Sequence, residues 1–201
     1  MSKLLIIAGL PATGKTTLSR KLAEAFDLPI LEKDEIKEEM FDTIGFADRR
    51  QKRALDNAAN AILLRCAEPI LKKGGSLLMV NNFDSEGGKA LQAMIDRCGC
   101  KCVTVFLGGD PDVLWQRYVE RDRKRSRHMG HTFIDRYPPQ EGDDIDATMP
   151  REYFAERFER LGMGELKISG ARIDVDATYP DFSNVDALIE QIRALFEKEG
   201  A

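Results

Sequence analysis

Short apolar runs alternate along the chain with longer stretches in which apolar side chains recur every three or four positions. The first pattern suits strands buried on both faces and the second suits amphipathic helices, so the alternation predicts a parallel sheet covered by helices on both sides. Predicted strands are Lys3–Ala8, Pro29–Leu31, Ser76–Val80, Cys102–Leu107 and Lys167–Val175. Predicted helices are Lys15–Phe26, Asp34–Asp42, Arg49–Lys72, Gly87–Arg97, Pro111–Arg123, Pro150–Leu161 and Asn184–Glu199. Gly74-Gly75 closes the third helix as a left-handed cap, and Asp110-Pro111 opens the fifth with an N-cap and a proline at the first helical position. One polar segment, about Arg121 to Met149, breaks this regularity. It opens on a basic block and closes on Pro138-Pro139 and the acidic run Glu141 to Asp146, too polar for packed core, which predicts a mobile lid and loop. With no internal repeat or low-complexity linker, residues 1–201 are expected to form a single domain.

Between the first strand and the first helix stands Gly9-Leu10-Pro11-Ala12-Thr13-Gly14-Lys15-Thr16, a complete G-x-x-x-x-G-K-[ST] loop. Its glycines let successive backbone N–H groups converge on phosphate oxygens, and the helix that follows adds its positive N-terminal end. Lys15 is expected to reach the β- and γ-phosphates, Thr16 to ligate Mg²⁺ carried by the nucleotide, and Thr17 to meet an α-phosphate oxygen.

A formal net charge of −4, with 43% hydrophobic and 32% charged residues, describes an ordinary globular chain and gives no sign of bulk nucleic-acid affinity. No apolar run approaches a membrane span, and Met1-Ser2-Lys3 leads straight into the first strand without a leader-like stretch. Four cysteines, three of them crowded at Cys98, Cys100 and Cys102, suit a reducing compartment, so cytoplasm is expected. The C-x-C-x-C run reads as buried or half-exposed thiols, since no histidine pair completes a ligand set.

Asp34, just after the second strand, lies where ligands bind in an open α/β sheet. A carboxylate there can accept an acceptor hydroxyl's proton and align its oxygen with the γ-phosphorus. The competing role is a helix N-cap, and both can reside in one side chain. Lys33 and Lys37 beside it read as solvated lysines. Arg117 and Arg121 stand four apart on one helix face and can converge on a single ligand, and with Arg127 they are expected to clamp phosphate oxygens from the lid. His128 and His131 read as lid surface, and Trp115 and Phe106 as core. At the tip of the third strand, where many P-loop enzymes place a magnesium-holding aspartate, this chain has Asn81. Asp34 or Asp84 is the expected contributor to the metal's surroundings.

Taken together, Ala8 to Thr17, Lys33-Asp34-Glu35-Ile36-Lys37, Asn81-Asn82-Phe83 and the arginine-rich stretch ending Arg127-His128-Met129-Gly130-His131 resemble the small P-loop kinases that include the polynucleotide kinase domain, zeta toxins and chloramphenicol phosphotransferase. The resemblance implies a three-layer P-loop fold with a five-stranded parallel sheet in the order 2-3-1-4-5, ATP as donor, Mg²⁺ as cofactor, Asp34 as base and lid arginines as clamps. The acceptor does not follow from it. The charge balance favours a small hydroxylated molecule over a nucleic-acid end. An ATPase switch or non-catalytic regulator is the reading from another class. A GTPase would need a guanine-reading N-K-x-D segment, which the sequence lacks.

Overall fold

The first apolar run forms a strand buried on both sides, and its alternation shows how. Leu4, Ile6 and Ala8 join the core on one face of the sheet, Leu5 and Ile7 that on the other, and all five are fully shielded from solvent. The computed structural model, which describes residues 1–198, pairs this strand, β1 (Lys3–Gly9), in parallel with β3 (Leu77–Val80) and β4 (Lys101–Gly108). β2 (Ile30–Glu32) adds to the outer edge of β3 and β5 (Ala171–Asp176) to that of β4. The resulting order, β2-β3-β1-β4-β5, is the one the family resemblance implies.

Two helical layers enclose the sheet. On one face α3 (Arg49–Lys72) and α4 (Ser85–Cys98) bring Leu63, Ala67, Leu71, Leu91 and Met94 against Leu4, Ile6, Met79 and Phe106. On the other, α1 (Lys15–Phe26) and α7 (Asp186–Glu197) bring Leu18, Leu22, Ile192 and Phe196 against Leu5, Ile7, Val103 and Val105. Truncating one such buried leucine to alanine costs on the order of 2–5 kcal/mol, so the two layers rigidly fix the carboxyl edge of the sheet. Above that edge lie α2 (Lys33–Ile44), α5 (Pro111–Arg123) and α6 (Arg151–Arg160).

Caps agree with the sequence. Asp110 accepts from the Asp112 and Val113 N–H groups ahead of Pro111, and Gly74 follows α3 at φ +84°. Asp84 accepts from Gly87 N–H, which starts α4 at Ser85 rather than Gly87. β5 begins at Ala171, not Lys167, because Ser169 N–H donates to Gln92 Oε1 at 2.6 Å and ties the preceding backbone to α4. The expected end of the last helix at Glu199 lies outside the described residues.

The polar segment packs more than its composition suggests. Ile134, Met129 and Tyr137 gather around Phe41 and Phe46, and Phe46 and Tyr137 form an isolated antiparallel bridge. Met149 is buried with Leu114, Tyr118, Phe154 and Phe158, and Trp115 Nε1 donates to its carbonyl at 2.8 Å. The few apolar side chains of the segment find partners on α2, α5 and α6, so local polarity understates their burial. Among the described residues no helix is long and apolar enough to cross a membrane.

Candidate functional site

Leaving β1, the chain stays so close to β4 that Leu10 N–H donates to Leu107 O at 3.1 Å. A Cβ on Gly9 would stand 2.0 Å from that oxygen, so no side chain fits there. Gly14, at φ +86°, turns the loop into α1 and supplies no side-chain cap, leaving first-turn N–H groups open toward the cleft. Thr13 is buried and its hydroxyl donates to Leu10 O at 2.7 Å; Lys15 Nζ donates to the same carbonyl at 2.7 Å. Burial draws the Lys15 ammonium down to about 7; Asp34 and Glu32 oppose the shift, and Arg121 and Lys33 add to it.

Thr16 Oγ1 donates to Glu32 Oε1 at 2.9 Å. A hydroxyl and a carboxylate side by side at the loop's edge are the hard oxygen donors that suit Mg²⁺. Burial pushes the Glu32 carboxyl upward, with Asp34 and Glu35 adding to the effect and Thr16 and Arg20 opposing it. Glu32 is the acid that the sequence reading missed; its signal was a strand ending Glu32-x-Asp34, two acids at one tip. Asn81 instead donates through Nδ2 to Asn60 Oδ1 at 2.8 Å and accepts from Asn82 N–H at 2.7 Å. Asp84 is committed elsewhere, as the α4 cap and as partner to Arg53 Nη2 at 2.6 Å. It does not border the cleft.

Asp34 lies in the first turn of α2, but Glu32 occupies the N-cap position, so Asp34 is free of the capping role. Burial would raise its carboxyl; His131, Lys33, Lys37 and Arg127 together hold it well below the usual carboxylate range. It is therefore ionised at any physiological pH. Lys33 and Lys37 are not merely solvated: both donate to Asp56 Oδ1, at 3.2 and 2.7 Å. Those two ammonium groups hold Asp56 far below its ordinary value against the opposing effect of burial.

The lid arginines divide. Arg117 donates to Ala177 O at 2.7 Å and to Thr178 O, and its guanidinium lies 5.8 Å from the exposed Tyr179 ring. Arg121, one turn on, sits 5.4 Å from the Tyr118 ring with its Nε buried and unbonded. Arg127 approaches Asp34 only to 4.0 Å and Asp122 to 3.8 Å. Arg121 and Arg127 thus face the cleft with donors to spare, while Arg117 fastens α5 to the segment after β5.

His128 and His131 clamp the lid's end onto α2. His131 Nε2 lies 2.9 Å from Glu38 Oε1, and burial draws its ring down to about 4, leaving it neutral at pH 7. His128 accepts Gly130 N–H at Nδ1, so its Nε2 carries the proton donated to Asp42 at 2.9 Å. Tyr137 donates to the same Asp42 oxygen at 2.9 Å. Away from the cleft, the thiols of Cys100 and Cys102 are buried, which pushes them up to about 11 and about 12. Lys15, Thr16, Glu32, Asp34, Arg121, Arg127 and the two lid histidines line one cleft of ≈ 1190 Å³ that extends from Gly14 past Asp34 to Lys52 and Arg157.

Comparison with known proteins supports the fold that carries this cleft. A candidate kinase from Chloroflexus aurantiacus j-10-fl superposes with a TM-score of 0.77 at 30% identity, over 96% of this chain and 98% of that one. Kti12 of Chaetomium thermophilum, solved with ADP-AlF3, gives 0.60 at 15% identity over 97% and 100%. Shikimate kinase of Bacteroides thetaiotaomicron gives 0.53 at 16% identity over 97% and 98%; at this identity both likenesses concern the fold alone. No curated protein matches the chain. The fold is that of P-loop kinases, without selection of the narrower group named from sequence. A family model described as an AAA domain matches residues 4–134, more than half of the sequence, and the chain therefore belongs to the AAA domain family.

Proposed function

We propose that the chain is a phosphotransferase that moves the γ-phosphoryl group of ATP to a hydroxyl of a small molecule, with Asp34 receiving the hydroxyl proton. The observation that carries this reading is the ionised Asp34 carboxylate beside the Lys15 loop, ringed by Lys33, Lys37 and Arg127 in the same cleft. The shikimate kinase fold, shared by this chain, serves a small-molecule acceptor in its own case.

In this mechanism the loop amides of residues 9–17 and Lys15 hold the phosphate tail, while Arg117, expected from sequence as a clamp, is occupied by the Ala177 and Thr178 carbonyls. Mg²⁺, which the Thr16 and Glu32 oxygens fit, supplies Lewis-acid neutralisation of phosphate charge when bound. Asp34 accepts a hydrogen bond from the acceptor hydroxyl and aims its oxygen at the γ-phosphorus. The acceptor oxygen bonds to that phosphorus as its bond to the β–γ bridging oxygen breaks, ADP departs, and the proton passes to Asp34. A weakly basic carboxylate suffices because a loose transition state calls for little proton removal before the new bond forms. Arg121 and Arg127 stabilise charge spread over the transferring oxygens. Residues 121–149 close over the nucleotide as a lid within the single domain.

The test is ADP formation from MgATP by the full chain with a panel of small alcohols and one oligonucleotide end. Stimulation by one chemical class of small alcohol is expected. A slow rate unchanged by every acceptor would point instead to an ATPase switch.

A further inference from the structure

We infer that the acceptor is itself an anion, an alcohol bearing an oxyanion group that Lys52 of α3 and Arg157 of α6 hold while its hydroxyl meets Asp34. The inference rests on the kinase reading and deepens it. Both cations line the cleft. Lys52 Nζ donates only to Thr132 O, at 2.7 Å, and among the described residues neither Lys52 nor Arg157 has a carboxylate within ion-pair distance. The cations around them are matched: Lys33 and Lys37 by Asp56, Arg53 by Asp84, Arg49 by Asp135, Arg125 by Asp146. Other cleft cations also lack an ion pair, but Lys15 and Arg121 stand at the phosphate loop and Arg117 is occupied by carbonyls; away from the loop the half-buried cations left without a counter-charge are Lys52 and Arg157.

The nucleotide does not account for it. The charges acting most strongly on Lys15 are Asp34, Arg121, Lys33 and Glu32. Those acting most strongly on Lys52 are Lys37, Arg157, Arg49 and Arg127, all positive. The acid that feels Lys52, Asp122, is turned to Arg127 at 3.8 Å. Asp34 lines the same cleft, with Arg127 approaching it to 4.0 Å. An acceptor hydroxyl at Asp34 thus shares one cleft with the phosphate-binding cations and with the unmatched ones. Phe133 and Tyr153, in edge-to-face contact with ring centres 5.7 Å apart, add an aromatic wall to that cleft. Half-buried cations without counter-charge destabilise a fold, and a ligand oxyanion removes that penalty on binding. One anionic group satisfies the pair; a long polyanion would need a broad basic surface, which a net charge of −4 does not provide.

The experiment titrates inorganic phosphate onto the full chain saturated with Mg²⁺ and a non-hydrolysable ATP analogue, following the melting temperature. A saturable rise is expected for the native chain. In Lys52→Met and Arg157→Met the phosphate-dependent rise should fall at least threefold while the nucleotide-induced rise persists, and Lys52→Met should melt higher than native without ligand. No phosphate-dependent rise in the native chain, or an undiminished one in both variants, overturns the inference. ADP formation supplies the second readout, using alcohols paired with and without a phosphate or carboxylate. Stimulation by anionic members alone supports the inference, and stimulation by neutral members equally, or by an oligonucleotide end alone, overturns it. Failure of the kinase reading is separate: there no alcohol stimulates, whatever phosphate does to melting.

Discussion

Lys15 and Lys52 are both half-buried and both donate to a backbone carbonyl at 2.7 Å, and they differ in the charges around them. Burial draws both ammonium groups down to about 7, yet Lys15 has the carboxylates of Asp34 and Glu32 among its nearest charges, whereas Lys52 is ringed by cations. At the phosphate loop, charge is nearly balanced and recognition depends on backbone geometry that Gly9 and Gly14 make possible. At the other end Lys52 and Arg157 stand without counter-charge, and on the inference drawn above it is the acceptor that brings the missing sign. One cleft can thus hold a highly specified donor and an acceptor whose identity rests on a few side chains.

The sharpest way to break this comparison is Lys15→Ala, which should lower turnover by about a thousandfold, since it removes a charge placed on the transferring phosphates; steady-state ADP release measures it. Asp34→Asn should lower kcat by roughly a hundredfold, within the range of general-base contributions, and leave nucleotide affinity by calorimetry within about twofold. If Asp34→Asn instead lost stability at unchanged rate, the base assignment would be wrong. Arg127→Ala should cost about tenfold in kcat/KM, because Arg121 remains to stabilise the same oxygens.

The smallest effect is pH dependence. Unfolded lysines titrate near 10.5 and the folded Lys15 and Lys52 near 7, so between these values the unfolded chain binds more protons and unliganded stability rises with pH. Below about 7 that contribution is absent. The window closes near pH 9, where Cys100 and Cys102, both raised by burial, add the opposite trend. Between pH 6.5 and 8.5 the unliganded melting temperature should climb while nucleotide affinity falls, because the anion binds the protonated Lys15. Melting curves with and without nucleotide show whether the two slopes have opposite signs.

The loop from Gly9 to Thr16 was legible because its pattern is local: eight consecutive residues fix both the backbone and the charge. The three central strands were legible for a similar reason, since a strand buried on both faces must be apolar throughout, whereas the half-exposed edge strand β5 was drawn four residues too long at its start. Glu32, Lys52 and Arg157 were not, because each is an ordinary charged residue whose partner or lack of one is decided by another element. Lys33 and Lys37 were read as solvated because Asp56, their counter-charge, lies on α3. The histidines were read as lid surface for want of knowing that Glu38 and Asp42 face them. Long-range pairing, not residue type, set the limit.

Phe46 and Tyr137 bridge by main chain, and His128, His131 and Tyr137 grip Asp42 and Glu38. The helix that bears Asp34 and the strip that carries Arg127 are thereby yoked. Any rocking of that helix drags the guanidinium along with the carboxylate, so the spacing between the two survives motion relative to the triphosphate cradle. In the proposed transfer, alignment of the incoming alcohol and neutralisation of the migrating group then arrive together, as one mechanical stroke.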